Sequence, residues 1–255
     1  MMNPFTIGVL SACCIFAGVL VGLGLNKLLP RHHVSEESQN TIKLGAGMVA
    51  TLTALVLGLL VSSAKSAFDT VNAGVKQGAA KVVLLDRVLS QYGPEAAKTR
   101  AQLKESLATG IANIWPDRYV SPEVRAENFA NARGMEPILA DLRELNPQSE
   151  GQRQFLTEAW QLANELAQIR VQMIEDTDNA LPVAFLVVLV GWLTILFASF
   201  GLFAPPNWTV IGALFVCALS VSAAIFLIME MNHPLTGVIQ ISSEPMLRAQ
   251  ALLGR

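Results

Sequence analysis

Four long apolar runs constrain this sequence more than any other feature. They extend from about Phe5 to Leu29, Leu44 to Ser63, Leu181 to Phe203 and Trp208 to Met229. A helix needs about 20 consecutive apolar residues to cross the hydrocarbon core of a bilayer. The third and fourth runs are joined only by Ala204-Pro205-Pro206-Asn207, which is long enough for a tight reversal. The sequence therefore predicts four transmembrane helices in two hairpins.

The charged residues are concentrated between the second and third runs. Of the 18 Lys and Arg residues, 13 lie between Lys65 and Arg170, and 16 of the 20 Asp and Glu residues lie between Asp69 and Asp178. Lipid-facing sequence is expected to be almost uncharged, so this middle region is expected in water. We predict an all-α membrane protein: residues 1–63 form the first transmembrane hairpin, 64–180 a helical cytoplasmic domain continuous with the membrane helices, 181–230 the second hairpin and 231–255 a cytoplasmic C-terminal tail.

The distribution of basic residues predicts the orientation. Four crossings place the two termini and the middle region on one side, and the basic residues near the spans on that side are Lys65, Lys76, Lys81, Arg170 and Arg248. The opposite side carries Lys27, Arg31 and Lys43. Because Lys and Arg accumulate on the cytoplasmic side, we expect the termini and the middle region there. The first run lacks a basic leader and continues well past Cys13, so we expect a retained helix rather than a cleaved signal peptide.

The middle region has helical patterns and start and stop signals. The second run is expected to continue as one helix to about Gln91, and a following helix to end at Trp115-Pro116. Ser121-Pro122-Glu123 predicts the start of a helix that ends near Leu145. A last helix carries an apolar seam at spacings of three and four: Phe155, Ala159, Leu162, Leu166, Ile169 and Met173. This seam is expected in the core of the subunit or, alternatively, between subunits.

Several classes of function find no support in the sequence. It has no nucleophile elbow, phosphate-binding loop, zinc-protease motif or calcium loop, and we expect neither an enzyme nor a bound cofactor or metal. Its net charge is −2, whereas a nucleic-acid-binding protein carries a basic stripe. The three cysteines all lie in apolar runs, where they are expected to be inert small side chains.

One face of the second run is the main candidate functional site. Small, hydroxylated and then charged residues recur there at steps of three and four: Gly47, Thr51, Leu55, Gly58, Ser62, Lys65 and Asp69. Such a face allows close helix packing or lines a water-filled path. In the second case Lys65 and Asp69 stand at its cytoplasmic mouth; otherwise they are a surface pair four residues apart.

Four acidic residues are further functional candidates. Glu230 ends the fourth run, where an ionisable group so close to the bilayer is either paired, functional or simply in contact with interfacial water. The other three form a cluster before the third run: Glu175, Asp176 and Asp178.

Most of the chain after Asn40, and above all its last third, resembles a known family. The matching features are Trp192, the turn Phe200–Pro205 with Asn207, the small-residue run Ser220–Ala224, Glu230, Pro234, Gly237, Ser242–Pro245, Leu60–Asp69 and Leu162–Arg170. Together they resemble the bestrophin-like family of bacterial membrane proteins. Bestrophins are pentameric channels, mostly for anions, with four membrane helices and a pore lined by the second.

This resemblance implies a homo-oligomer, with five subunits by analogy, in the inner membrane of a bacterium, where its partners are lipid and inorganic ions. The first hypothesis is therefore an oligomeric ion channel whose second membrane helix lines a central pore. The second hypothesis is a non-conducting scaffold or sensor whose helical domain binds a cytosolic partner.

Overall fold

The regular elements of the computed structural model are all helical in the part of the chain that it describes. That part comprises residues 4–28, 36–116, 120, 124, 127–128, 134–178, 183–205, 207–235 and 237–254, without the side chains of residues 37, 38, 176–178 and 183. The helices are α1 (Pro4–Leu28), α2 (Glu36–Tyr92), α3 (Ala97–Ile114), α4 (Glu136–Glu144), α5 (Glu150–Asp178), α6 (Val183–Phe203), α7 (Trp208–Met231) and α8 (Glu244–Leu252). Helices α1, α2, α6 and α7 are long and apolar enough to cross a membrane, so the fold is all-α with four candidate spans.

The chain forms two compact units. We call residues 1–66 with 180–232 the membrane unit, and residues 67–179 with 233–255 the charged unit. Helix α2 contributes to both and ends at Tyr92, one residue beyond the end that the sequence indicates. The C-terminal segment, treated in the sequence as a tail, belongs to the charged unit and contains helix α8.

Helix α1 packs closely against α6 and α7 within the membrane unit. Its buried residues follow steps of three and four and include four small ones: Gly8, Ser11, Ile15, Gly18, Val19 and Gly22. A Cβ atom on Gly22 would collide with the backbone oxygen of Ala198, and one on Gly18 would lie 2.5 Å from that of Thr194. Small residues four apart allow such approach of two helix backbones in a membrane. The Gly18-x-x-x-Gly22 spacing is the sequence signal that indicates this close approach.

Replacing Gly22 by alanine should destabilise the protein, whereas replacing Gly24 by alanine should not. Alanine is favoured over glycine in a helix by up to about 1 kcal/mol, so Gly24→Ala, with no atom within 4 Å of its new Cβ, should be neutral or stabilising. Gly22→Ala forces α1 away from α6, and overpacking of this kind costs about 1–3 kcal/mol. Thermal unfolding in detergent compares the two variants. Equal melting temperatures would contradict the close contact at Gly22.

One face of α2 completes the core of the membrane unit. Leu60 and Ala64 are buried together with Ile15 of α1, Leu193 of α6 and Ile225 of α7. Thr53 is also buried, and its hydroxyl donates to the carbonyl oxygen of Val49 at 2.7 Å. Helix α2 therefore has a packed face in this unit, and the other positions on its circumference are left exposed.

The charged unit has two apolar clusters built around α2 and α5. The larger includes Leu85, Leu103, Ile138 and Leu142, and the smaller includes Val71 and Val75. The α5 seam lies in these clusters: Ala159, Leu162, Leu166 and Met173 are buried, and Phe155 and Ile169 pack beside them. Of the two interpretations of the seam, the structure therefore supports the core of the subunit.

The helix expected from residue 121 to about residue 145 is interrupted, which corrects the sequence interpretation. Residues 121–123, the expected start, lie outside the described residues. Gly134 and Met135 are not helical, and α4 begins afterwards at Glu136 with Pro137 in its first turn. Glycine costs helix stability and proline suits a first turn, so a new helix begins here. Its end at Glu144 agrees with the expected end near Leu145.

A buried carboxylate joins three segments of the charged unit. Asp86 of α2 accepts hydrogen bonds from Nε and Nη2 of Arg100 in α3, at 2.8 and 3.0 Å. The backbone N–H of Gly254, just after α8, donates to the same carboxylate at 3.1 Å. Burial raises the pKa of Asp86, but the hydrogen bonds from Arg100 and Gly254 and the charges of Arg100 and Lys104 outweigh it and hold the pKa below its ordinary value.

Asp86→Asn should destabilise the protein and alter how its stability depends on pH. The variant loses the charge of the acceptor in these hydrogen bonds. A hydrogen bond to a charged group contributes about 1.5–3 kcal/mol to stability. Because the folded-state pKa of Asp86 is lowered, its contribution is complete above its unfolded value of about 3.9 and is lost as the pH falls through the folded value. The difference in melting temperature between wild type and variant should therefore shrink below about pH 4.

The exposed Glu158 of α5 provides the matched control for this experiment. Glu158→Gln removes the same charge without removing the ion pair, and should leave the melting temperature nearly unchanged at neutral pH. A difference between wild type and Asp86→Asn that stays constant down to pH 2 would contradict the proposed role of the carboxylate charge.

Candidate functional site

The predicted face of α2 is exposed along its whole length. Its residues in the membrane unit and in the first turn of the charged unit are all solvent-accessible in the single chain: Gly47, Thr51, Leu55, Gly58, Ser62, Lys65 and Asp69. The opposite side of the helix holds the buried residues Thr53, Leu60 and Ala64. This contrast follows from the helical period of 3.6 residues, which turns the two sets away from each other.

The small side chains of this face do not pack against another helix of the membrane unit. A Cβ atom added to Gly47 or Gly58 would meet no atom within 4 Å. In α1, by contrast, positions 18 and 22 require glycine, because the backbone of α6 occupies the space that a Cβ atom would take. Of the two interpretations of this face, close packing within the described subunit therefore finds no support. Contact with another chain and the lining of a water-filled path remain open.

A second, apolar stripe runs beside the small-residue face. Leu44, Met48, Leu52 and Leu59 are all at least half exposed and follow each other at steps of three and four, with Leu55 at the border of the two stripes. The exposed positions of α6 and α7 include large apolar residues as well, as at Val187 and Phe215, beside small ones such as Gly191 and Gly212. Large apolar side chains suit a lipid surface or a packed interface between helices. What distinguishes the small-residue face of α2 is that it continues into the exposed charged residues Lys65 and Asp69.

The polar groups on the face provide few but specific hydrogen-bonding sites. The hydroxyl of Thr51 donates to the carbonyl oxygen of Gly47 at 3.0 Å, so its proton is used and its two lone pairs are left as acceptors. Lys65 and Asp69 are exposed one turn apart on the same continuous helix. The site thus passes from small and hydroxylated residues to charged residues of both signs.

The four acidic candidates have different environments. Glu230, near the end of α7, is only 2% exposed, so the interpretation that it simply reaches water does not apply within this chain. Next to it, Asn232 is buried and its side-chain nitrogen donates to the carbonyl oxygen of Ile228 at 3.0 Å. Glu175 is exposed in α5. The side chains of Asp176 and Asp178 lie outside the described residues.

Acidic, histidine and cysteine side chains are the usual protein ligands of metal ions. Within the described residues no three of them converge in the way that a metal site requires. The three cysteines are free and exposed on the membrane helices. The candidate site is a surface of one helix, α2.

Most of the chain matches the model of a known protein family. A family model described as "Bestrophin-like domain" matches residues 13–246 of the chain. The matched range includes α2, most of α1, and α6 and α7. Searches of curated proteins and of solved structures give no significant match.

Proposed function

The chain belongs to the bestrophin-like domain family, and from this premise we propose that it is an oligomeric ion channel whose α2 helices line a central pore. The observation that carries the proposal is the exposed face of α2. Small and hydroxylated side chains inside a membrane span, unused by packing in their own unit, are suited to a polar path. Several copies of α2 turned toward one axis would convert this surface into a pore wall.

Oligomerisation is part of the proposal because one subunit cannot enclose a path. The hydroxylated face of α2 lies on the outside of the membrane unit, and the interior of that unit is occupied by an apolar cluster. A homo-oligomer with cyclic symmetry places the same surface of every subunit at the axis. By analogy with bestrophins we propose five subunits, with lipid and inorganic ions as the partners.

Ion flux through reconstituted protein tests the proposal directly. Purified protein in liposomes should release a trapped salt down its gradient faster than protein-free liposomes. Light scattering coupled to size-exclusion chromatography, with the detergent mass subtracted, should give a particle of several subunits. A monomer in this measurement, or flux equal to that of empty liposomes from a confirmed oligomer, would contradict a channel.

The alternative is a scaffold or sensor that does not conduct. It is favoured by exposed apolar side chains on the charged unit, where Leu84, Val171 and Leu247 are each about half exposed. In an oligomeric channel a neighbouring subunit would cover them, whereas in a scaffold a cytosolic partner would. The two functions differ in the liposome experiment, because the scaffold gives no flux whatever its oligomeric state.

The proposed location is the inner membrane of a bacterium, with both termini and the charged unit in the cytoplasm. Asn207 and Gln161 are exposed positions on opposite sides in this arrangement. In a chain with Cys13, Cys14 and Cys217 replaced by serine, Asn207→Cys should react with a membrane-impermeant maleimide in spheroplasts. Gln161→Cys should react only after the membrane is permeabilised. The reverse pattern would invert the proposed orientation.

A further inference from the structure

A groove in the membrane unit borders the packed core at Leu214 and includes Gly47, at one end of the small-residue face. It has a volume of about 590 Å³ and is formed by the beginning of the apolar segment of α2, the end of α6 and the beginning of α7. Its walls are mostly apolar and include Phe200, Phe203, Val210 and Leu214. Lys43 is the one charged residue among the described residues that line it. The groove therefore combines an apolar channel for a chain with a single cation.

The position of Lys43 matches the level of lipid headgroups. Lys43 directly precedes the apolar run that starts at Leu44, Phe203 is the last residue of α6, and Val210 lies in the first turn of α7. These three points mark one end of the membrane-crossing segments, where hydrocarbon gives way to the polar headgroup region. The Lys43 ammonium lies 6.0 Å from the centroid of the Phe203 ring. A cation–π contact at this distance orients the cation over the groove without occupying its N–H donors.

We propose that this groove binds one anionic phospholipid, with an acyl chain along Phe200, Val210 and Leu214 and the phosphate on Lys43. An apolar crevice gives water too few hydrogen-bond partners to be a good water site. Its volume falls in the range of about 300–1,000 Å³ typical of sites for small organic molecules. The ammonium offers three N–H donors and no acceptor, so it binds phosphate oxygens and repels a cationic group on the lipid. This site does not depend on whether the protein conducts ions.

The small residues of α2 in the groove allow its volume to be changed by substitution. Ala46 and Ala50 of α2 line the groove, and both are half-buried. A phenylalanine at position 50 would fill the space proposed for the acyl chain without removing the cation. Charge and space can therefore be altered independently, which separates an electrostatic effect from the filling of the groove.

Native mass spectrometry with dioleoylphosphatidylglycerol as the probe tests the proposal. Wild type should retain one lipid per chain, and Lys43→Gln should bind it about tenfold more weakly because a charge-assisted hydrogen bond is lost. Lys43→Arg should restore binding. Lys27→Gln is the matched control: the neighbouring Asn26 donates to the carbonyl oxygen of Ala204, so this lysine stands at the same end but does not line the groove. Lys27→Gln should bind like wild type.

Other outcomes would overturn the proposal. Equal lipid affinity in wild type, Lys43→Gln and Ala50→Phe would place the lipid elsewhere, and retention of inorganic phosphate in place of the lipid would indicate an anion site. A benzophenone amino acid at Val210 distinguishes the remaining occupant. After illumination in phosphatidylglycerol nanodiscs, an adduct with the mass of the lipid supports the proposal, and a cross-link to a second copy of the chain overturns it.

Discussion

Gly58→Leu is expected to reduce ion flux through the reconstituted protein to the level of empty liposomes. Gly58 lies on the exposed face of α2, where an added side chain meets no atom of its own chain within 4 Å. The substitution therefore introduces no clash inside the subunit and should leave its folding intact. In an oligomer with this face at the axis, every subunit adds an isobutyl group to the same level of the pore. A hydrophobic constriction of this kind excludes water and ions.

Gly191→Leu and Gly212→Leu provide matched controls for this experiment. Both glycines are exposed in membrane helices, on α6 and α7, and neither has an atom within 4 Å of an added Cβ. If all glycine substitutions in exposed membrane positions damaged the protein, these two would lose flux as well. We expect them to conduct like wild type, and flux in Gly58→Leu equal to that of wild type would exclude Gly58 from the ion path.

The assembly state of Gly58→Leu separates two ways in which the residue could act. An intact oligomer without flux indicates obstruction of the path. A monomer without flux indicates that Gly58 allows close contact between subunits, as small residues do in membranes. Light scattering on the same sample decides between these results, and either one assigns the small-residue face to the inside of an assembly.

The membrane helices were predictable because a bilayer imposes one strong physical rule. Uncharged runs of sufficient length define α1, α6 and α7 within a few residues, and the absence of Pro or paired Gly before Gly93-Pro94 indicates that α2 continues to Tyr92. The apolar seam of α5 was predictable for a similar reason. A heptad spacing predicts a buried helix face, whether the covering helix belongs to the same subunit or to another. These features depend on local composition and period.

Features that depend on distant contacts were not predictable. Asp86 and Arg100 are 14 positions apart on different helices, and Gly254 joins them from the far end of the chain. The nine residues of α8 are too few to give a clear period, so the segment looked like a tail. The α2 face is exposed because α1, α6 and α7 pack against another side of α2, at Leu60 and Ala64. A sequence pattern identifies the face but does not indicate which side of the helix its neighbours will cover.

Substitutions at the charged end of the α2 face should change ion selectivity in opposite directions. Lys65 and Asp69 are both exposed and follow Ser62 on the same helix face. In the proposed oligomer each becomes a ring of like charges around the cytoplasmic mouth, and such rings determine which ion is concentrated there. Lys65→Ala leaves the acidic ring and should favour cations, whereas Asp69→Ala leaves the basic ring and should favour anions.

The expected size of this effect follows from the limit of perfect selectivity. In a tenfold gradient of a monovalent salt the reversal potential of an ideally selective pore is about 59 mV, with the sign set by the permeant ion. If the two rings offset each other in wild type, its reversal potential should lie near zero. The two variants should then move it by tens of millivolts in opposite directions, each toward the limit of about 59 mV for its permeant ion.

Salt and a double variant distinguish a pore ring from a surface pair. The shift should shrink between 0.1 M and 1 M salt, since the Debye length falls from about 10 Å to about 3 Å. Lys65→Ala combined with Asp69→Ala should return the reversal potential toward the wild-type value, because both rings are removed together. A solvated pair outside the path contributes about 0.3–0.5 kcal/mol to helix stability and nothing to selectivity. Conduction with an unchanged reversal potential in both single variants would therefore exclude this end of α2 as the selectivity ring, while leaving the test of Gly58 unaffected.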